Sequence, residues 1–394
     1  MREDLALFYL ARKVEGLDSF RRFAESYREH APGCQHELVI IYKGFEGEAD
    51  ITAASAEFAD LPHRSVQVTD DHKDIGAYLE SAAQIDAEYV CFVNTHTKIL
   101  APNWLAHLRN AMRDPDVGLA GATASYESLY ESLALTSKIV WLTGIQRVPY
   151  DKELASSFRS ILEKYSPDWL RDRPAEGQTW RRNGQFHERN LEFKWRDYWK
   201  WSISEGQHYD FLNGFPRFPN AHIRSNGFII RRDVLLDFFR KISTSKRDSY
   251  GFESGPDGLS ARIARSGKAL ALVDRNGAVH VPADWPKSRT FRLGNQEDLL
   301  MSDNQTKAFD ALSPAQRATY QLMSWGDAAV RMTDVNSLGF AFRTSPVTRP
   351  AIGETSGMPY IADHCEYGVK MHSVIPDDPA WQFAEVFPDY ESSA

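Results

Sequence analysis

The stretch Tyr-Val-Cys-Phe-Val-Asn-Thr-His-Thr, residues 89–97, decides the fold class. Five apolar residues run without a polar interruption and stop abruptly at Asn94. A strand that alternates apolar and polar residues has one wet face. An unbroken run belongs to a strand buried on both faces, as in a parallel sheet covered by helices. Upstream, Leu5–Tyr9 and Leu38–Tyr42 repeat the pattern, and Ser65–Val68 reads as a further strand. Helical spacing fills the gaps. Leu17–His30 places Leu17, Phe20, Phe23 and Tyr27 on one side, Ile51–Phe58 reads as a helix, and Gly76–Ala83 reads as another with Asp74 as its N-cap. A helix over Trp104–Met112 follows the deciding strand. Strand and helix signals in alternation predict an α/β fold with a mainly parallel sheet. Such sheets bind ligands beyond the carboxyl ends of their strands, so the segments after Tyr9, Tyr42, Val68 and Val93 are where chemistry is expected.

Composition narrows the function. The 394 residues are 42% hydrophobic, enough for a full-sized core, and carry a formal net charge of −8. A general nucleic-acid binder needs a basic face, so this balance argues against one. Cys34, Cys91 and Cys365 are scattered and odd in number, which fits neither a disulfide framework nor a zinc site. No window approaches the roughly 18 apolar residues of a membrane span, and the Met1–Leu10 start is too short for a signal peptide. A cytoplasmic protein, with peripheral contact at the inner membrane as an option, is the expectation.

The rhythm breaks over residues 126–215 and resumes at Ile223. Gly227–Arg231 reads as a strand, Asp233 as the cap of a following amphipathic helix, Leu259–Ser266 as a helix stopped by Gly267, and Ala269–Val273 as a strand. Residues 297–330 look helical, and beyond Thr344 the chain turns rich in Pro, Gly, Ser and acids.

The order of these segments resembles the GT-A glycosyltransferases of the broad family-2 type, in particular bacterial enzymes of surface-polysaccharide assembly. Four segments carry the likeness. They are 89–97 with Ile-Leu-Ala-Pro-Asn-Trp-Leu (99–105), Asp-Pro-Asp-Val-Gly-Leu-Ala-Gly-Ala (114–122), Ile-Arg-Ser-Asn-Gly-Phe-Ile-Ile-Arg-Arg (223–232), and 252–267 from Phe252 to Gly267. The segment Asn-Thr-His-Thr-Lys (94–98) is also similar to rhamnan-synthesis-type members, as are Tyr42–Phe45 and Asp74–Tyr78. The resemblance implies a GT-A-like sheet with a helical insertion and a C-terminal helical extension. It implies residues 1–125 as the nucleotide-sugar half, 126–215 as a Trp-rich helical insertion, and 216–296 as the acceptor and catalytic-base half. A helical segment over 297–344 and a tail over 345–394 complete the expected organisation. It implies transfer of a sugar, with inversion, from a nucleotide-sugar donor to a glycan or lipid-linked acceptor.

Site residues follow from the same likeness. Glu253 and Asp257 are the candidates for the carboxylate that takes the acceptor proton, with Glu253 favoured and Asp257 otherwise a helix cap. Tyr9, Arg12, Lys43, Asp74, Asn94, His96, Thr97, His280 and Arg289 are the expected donor contacts, with Lys98 and Arg292 as further cations for the diphosphate. Arg224 and Asn226 are assigned to the acceptor. One departure matters. The family's Asp-x-Asp stands here as Asn94-Thr95-His96, which offers no carboxylate to a hard cation. The expectation is therefore either no required metal or a weak Mn site using His96.

The insertion holds a long helix near Lys152–Lys164 and Trp169, Trp180, Trp195, Trp199 and Trp201. It reads either as a hairpin packing its tryptophans on the core or as a cap over the acceptor cleft, with Arg171–Arg189 as a loop or lid. Two other functions compete. One is a non-catalytic nucleotide-sugar-binding protein with a degenerate metal site. The other is a sugar-phosphate nucleotidyltransferase, which would carry a Gly-rich loop where Leu10-Ala11-Arg12-Lys13 stands.

Overall fold

The computed structural model describes residues 4–129, 179–182, 185–188, 214–238, 245–312, 314–325, 361–365 and 368–371. The chain divides into two units, Met1–Ser125 with Ala221–Ala311, and Tyr126–Asn220 with Leu312–Ala394.

The first unit is built on an eight-stranded sheet. In chain order its strands are β1 (Leu5–Arg12), β2 (Glu37–Lys43), β3 (Arg64–Val68), β4 (Tyr89–Val93), β6 (Val117–Gly121), β11 (Phe228–Arg231), β12 (Ala269–Val273) and β13 (Val279–His280). Their spatial order is β13-β12-β6-β11-β4-β1-β2-β3. The pairs β1–β2, β1–β4, β2–β3 and β6–β12 are parallel. Only β11, lying between β4 and β6, and the edge strand β13 run against them. The expected α/β architecture, a mostly parallel sheet flanked by helices, is what forms.

The deciding stretch behaves as its composition requires: all five residues of β4 are buried. The sheet is covered by α1 (Leu17–Glu29), α2 (Glu48–Ala56), α3 (Asp74–Gln84) and α4 (Trp104–Ala111). In α1, Phe20, Phe23 and Ala24 are buried while Arg21 and Arg28 reach acids on the surface. Tyr9 stacks on Phe23 with ring centroids 3.8 Å apart. Trp104 and Phe58 are fully buried in the same core.

The second half of this unit adds α5 (Arg232–Phe238), α6 (Lys246–Ser254), α7 (Leu259–Arg265) and α8 (Asn304–Asp310). Two short antiparallel ribbons pin its loops. One joins β7 (Ala124–Ser125) to β10 (His222–Ile223), and the other joins β5 (Lys98–Ile99) to β14 (Met301–Ser302). Gly227 makes the entry to β11. Its φ is +69°, its N–H donates to the Phe92 carbonyl at 2.8 Å, and a Cβ there would lie 2.5 Å from Met301 Sδ. Glycine alone meets both demands without strain.

Several sequence expectations need correction. Asp74 is the first residue of α3, not its cap, and Asp233 lies inside the first turn of α5, where its carboxylate pairs with Arg231. The stretch from 297 is not continuously helical, because β14 pairs with β5 before α8 begins. The helix α6 was not foreseen at all.

In the second unit, α9 (Pro314–Trp325) is met by Tyr126, whose N–H donates to the Ser324 carbonyl at 2.9 Å and whose ring meets Trp325 edge-on at 5.1 Å. Ser128 Oγ donates to the Pro216 carbonyl at 2.7 Å. Residues expected to form a loop or lid include a hairpin of β8 (Thr179–Arg182) and β9 (Gln185–Glu188). The expected tail contains a second hairpin, β15 (Ile361–Cys365) with β16 (Gly368–Met371). The long helix expected near 152–164 lies outside the described residues.

Candidate functional site

The chain runs β1, β2, β3 outward on one side of the sheet. The helix α3 then carries it back to β4 on the other side of β1. This reversal makes the carboxyl ends of β1 and β4 the switch point of the sheet, the place where doubly wound sheets take ligands. Arg12 and Asn94 stand at those two ends, and Lys43 ends β2 in register with Arg12.

The loop after β4 is held from three directions. Thr95 Oγ1 donates to the Leu10 carbonyl at 2.6 Å, and Tyr9 Oη donates to the Thr95 carbonyl at 3.1 Å. Asn94 Oδ1 accepts from His96 N at 2.9 Å and from Thr97 Oγ1 at 3.3 Å. Asn226, buried at the turn before β11, accepts with its Oδ1 from Asn94 N at 2.8 Å and Thr97 Oγ1 at 2.9 Å. The two halves of the unit are thus stitched at the end of β4 by one buried amide.

One residue before Asn226, Ser225 holds Glu253. The Glu253 Oε2 accepts from Ser225 N at 2.7 Å and Ser225 Oγ at 2.5 Å. Glu253 lies in the last turn of α6, ahead of the Gly255–Gly258 turn that leads to α7. Burial pushes its carboxyl up, but the Arg224 guanidinium, His222 and the two Ser225 donors outweigh this and hold it below the ordinary range. It is a carboxylate at neutral pH. Among the described residues Oε1 has no hydrogen-bond partner, so one oxygen is fixed and the other is available.

The other foreseen residues separate into groups. Arg12 meets Glu15 at 3.2 Å and Asp74 at 3.6 Å. The Lys43 ammonium is buried and pairs with the exposed Asp70. His96 Nε2 lies 3.5 Å from Glu15 Oε2. Tyr9, expected to touch the nucleotide, is a core residue at 0% exposure with its hydroxyl spent on Ser19 and Thr95 carbonyls. Thr97 is equally buried and serves the loop. Arg224, expected on the acceptor, is instead committed inward: it pairs with buried Asp303 at 3.1 Å and lies over the Phe291 ring at 4.0 Å. Asp257 is an exposed partner of Arg265 at 2.8 Å, and its carboxylate makes no cap bond to α7. Arg289 is bound to Glu297 at 2.8 Å. His280 ends the edge strand with Nε2 3.0 Å from Asp274, whose Oδ1 accepts from Asn276 and Ala278 N–H groups. Arg292 is buried, against the ring of Phe291 at 4.6 Å.

Two residues here escaped the sequence reading. Ser225 orients Glu253, and Asp303 balances Arg224 while capping α8 through the Gln305 and Thr306 N–H groups. The Asp-x-x-Thr capping box at 303–306 is a local signal for the cap. Nothing local points to Arg224.

A divalent metal of the kind the family resemblance implies does not fit these side chains. The Asn94 amide oxygen is turned into its own loop, and His96 faces a single carboxylate. Among the described residues no three His, Cys, Asp or Glu side chains converge on one point. A hard octahedral cation asks for several oxygen ligands, which this strand end does not present.

No family model matches the chain, and no curated protein does. Comparison with solved structures finds partial likenesses. The mannosyltransferase PcManGT from Pyrobaculum calidifontis, in complex with GDP-Man and Mn2+, is 15% identical at a TM-score of 0.26, over 31% of this chain and 35% of that one. GalNAc-T7 with UDP, GalNAc and Mn2+ is 16% identical at 0.25, over 30% and 23%. A CMP:2-keto-3-deoxy-manno-octonic acid synthetase complexed with CTP is 14% identical at 0.24, over 30% and 52%. The matched region spans about half or less of each of those chains, and likenesses of this size carry no argument about what this chain does. No helix among the described residues is long and apolar enough to cross a membrane.

Proposed function

We propose that the chain is a glycosyltransferase that moves a sugar from a nucleotide-sugar donor to a hydroxyl of a glycan or lipid-linked acceptor, with inversion, in the assembly of a bacterial surface polysaccharide. The supporting observation is the meeting of two halves at the end of β4. Asn226 anchors the strand-end loop, and the adjacent Ser225 aims a carboxylate with one open oxygen. A donor sugar lying over Asn94 would have Glu253 on its acceptor side.

The chemistry assigned is a single displacement. Glu253 Oε1 takes the acceptor hydroxyl proton as that oxygen forms its bond to C1 of the sugar. The bond from C1 to the donor phosphate oxygen breaks, and its electron pair leaves with the nucleoside diphosphate. Departure of that group needs positive charge or hydrogen-bond donors beside the phosphates. Arg12, Lys43 and the N–H groups of the strand-end loop are the candidates at this strand end, whereas His280 lies on the edge strand four strands from β4.

Metal is the point where this reading departs from the family it resembles. Turnover is expected to persist in EDTA, because no step assigned here runs through a cation. The check is nucleoside diphosphate release in EDTA and in Mn, on wild type and on His96→Ala. Activity lost in EDTA and restored by Mn only when His96 is present makes His96 a ligand and overturns metal independence. Binding of the sugar nucleotide with no turnover under any condition points to the non-catalytic reading.

A further inference from the structure

Three cations gather on the flank of the proposed site. β5 pairs with β14 so that Lys98 lies opposite Ser302. The next residue, Asp303, caps α8, and Lys307 N donates back to the Asp303 carbonyl, which places Lys307 one helical turn beyond Asp303. From the other side, the Ser26 Oγ of α1 receives the Ile99 N–H at 3.1 Å, and Arg22 sits one turn before Ser26. All three belong to the first unit.

Their partners are few. Arg22 NH2 donates only to Ser19 Oγ at 3.2 Å, and its Nε is buried with no hydrogen-bond partner. Among the described residues no carboxylate lies within ion-pair distance of Arg22, Lys98 or Lys307. Asp303, an acid that acts on Lys307, has its oxygens engaged by Arg224 and two N–H groups of α8. Burial lowers the Lys307 pKa, Arg22 and Lys98 lower it further, and Asp303 opposes them. Like charges brought together in a protein of net charge −8 repel one another unless an anion joins them.

We propose that Arg22, Lys98 and Lys307 form a binding site for a phosphoryl or diphosphate group. The site adjoins the catalytic carboxylate through two links: Thr97, next to Lys98, donates to Asn226, and Asp303 pairs with Arg224, the neighbour of Ser225. Planar guanidinium and two ammonium groups suit a multiply charged oxyanion. The inference deepens the transferase reading and rests on it for the source of the phosphate. That source is either the donor's diphosphate or a phosphate carried by the acceptor, such as the diphosphate of a lipid-linked glycan.

The test is calorimetric titration of inorganic pyrophosphate into the full chain, wild type, Lys98→Gln, Lys307→Gln and Lys287→Gln. Lys287 is an exposed control paired with Asp284. The expected result is binding that weakens with salt and falls by about tenfold or more in each of the first two variants, the worth of one charge-assisted contact. Lys287→Gln should bind like wild type. No binding at millimolar pyrophosphate, or equal binding in all four proteins, overturns the site. A second titration in saturating nucleoside diphosphate assigns the source: competition supports the donor's phosphates, and independent binding supports the acceptor's. Pyrophosphate binding that follows the expected pattern in a protein that turns over no sugar nucleotide keeps the site and removes the transferase reading. Turnover with variant-insensitive pyrophosphate binding does the reverse.

Discussion

Glu253→Gln is expected to cut glycosyl transfer by about 100-fold or more while leaving donor binding near wild type, the usual worth of a positioned general base. The amide keeps the shape and can still accept from Ser225 N and Oγ, so the fold around α6 is preserved. What is lost is the capacity of the second oxygen to take a proton. Because Arg224, His222 and Ser225 depress the Glu253 pKa against the pull of burial, the carboxylate form persists into acid. In wild type the acidic limb of the rate profile should therefore fall below the ordinary Glu range near 4.3. A variant with near-normal turnover, or one that loses donor binding equally, contradicts the assignment. Loss of turnover in Asp257→Asn instead would move the role to that residue, against its exposure and its pairing with Arg265.

Arg224→Met should produce the largest loss of stability among single changes at this site, about 3–5 kcal/mol, because it leaves the Asp303 charge buried without its partner. Asp303 is 1% exposed, and only burial opposes the Arg224 and backbone contacts that hold its pKa down. The sign follows from that depression. Its contribution is present above the unfolded value near 3.9 and is lost as pH falls through the lower folded value. In Arg224→Met, burial acts unopposed by the guanidinium, and protonation of Asp303 then relieves the strain. Denaturant midpoints of the two proteins should accordingly converge as pH drops from 7 toward 3. The same variant removes the strongest cation acting on Glu253, so its acidic rate limb should move upward. A constant stability gap across pH would show that the pair is not the cause.

Much of the first unit was legible because burial on both faces leaves a plain mark. The runs 5–12, 37–43 and 89–93 have almost no polar interior residue, and each became a central strand. The end of the β4 run at Val93 gave the start of the strand-end loop directly. Tyr9 was misplaced because a tyrosine at a strand end looks like a ligand contact, whereas its hydroxyl satisfies carbonyls of its own core. The helix α6, Lys-Arg-Asp-Ser-Tyr-Gly-Phe-Glu-Ser, has too few apolar residues to show a period. Its mark was the Ser245–Asp248 capping box, which a reading based on apolar spacing passes over. Glu253 stands out in the sequence as an acid ahead of a helix, but its setting does not, since Ser225 lies 28 residues away. The Arg224–Asp303 pair spans 79 residues and carries no pattern that spacing can detect. Two-residue strands such as β5 and β14 are set by each other, not by local propensity. The roles of the strand-end cations depend on which acids fold against them, and those partners emerged only with the tertiary structure.

The most direct test of nucleotide-sugar binding is a thermal-shift screen of nucleotides and nucleotide sugars, with and without Mn. A ligand that binds only the folded chain adds about 2.7 kcal/mol at one hundred times its Kd, so even a weak donor registers at millimolar concentration. A nucleotide-sugar transferase predicts that at least one sugar nucleotide raises the Tm in EDTA, more with rising concentration, and that the rise is reduced in Lys43→Gln. A full panel that leaves the Tm unmoved at millimolar concentration, with and without Mn, would contradict it.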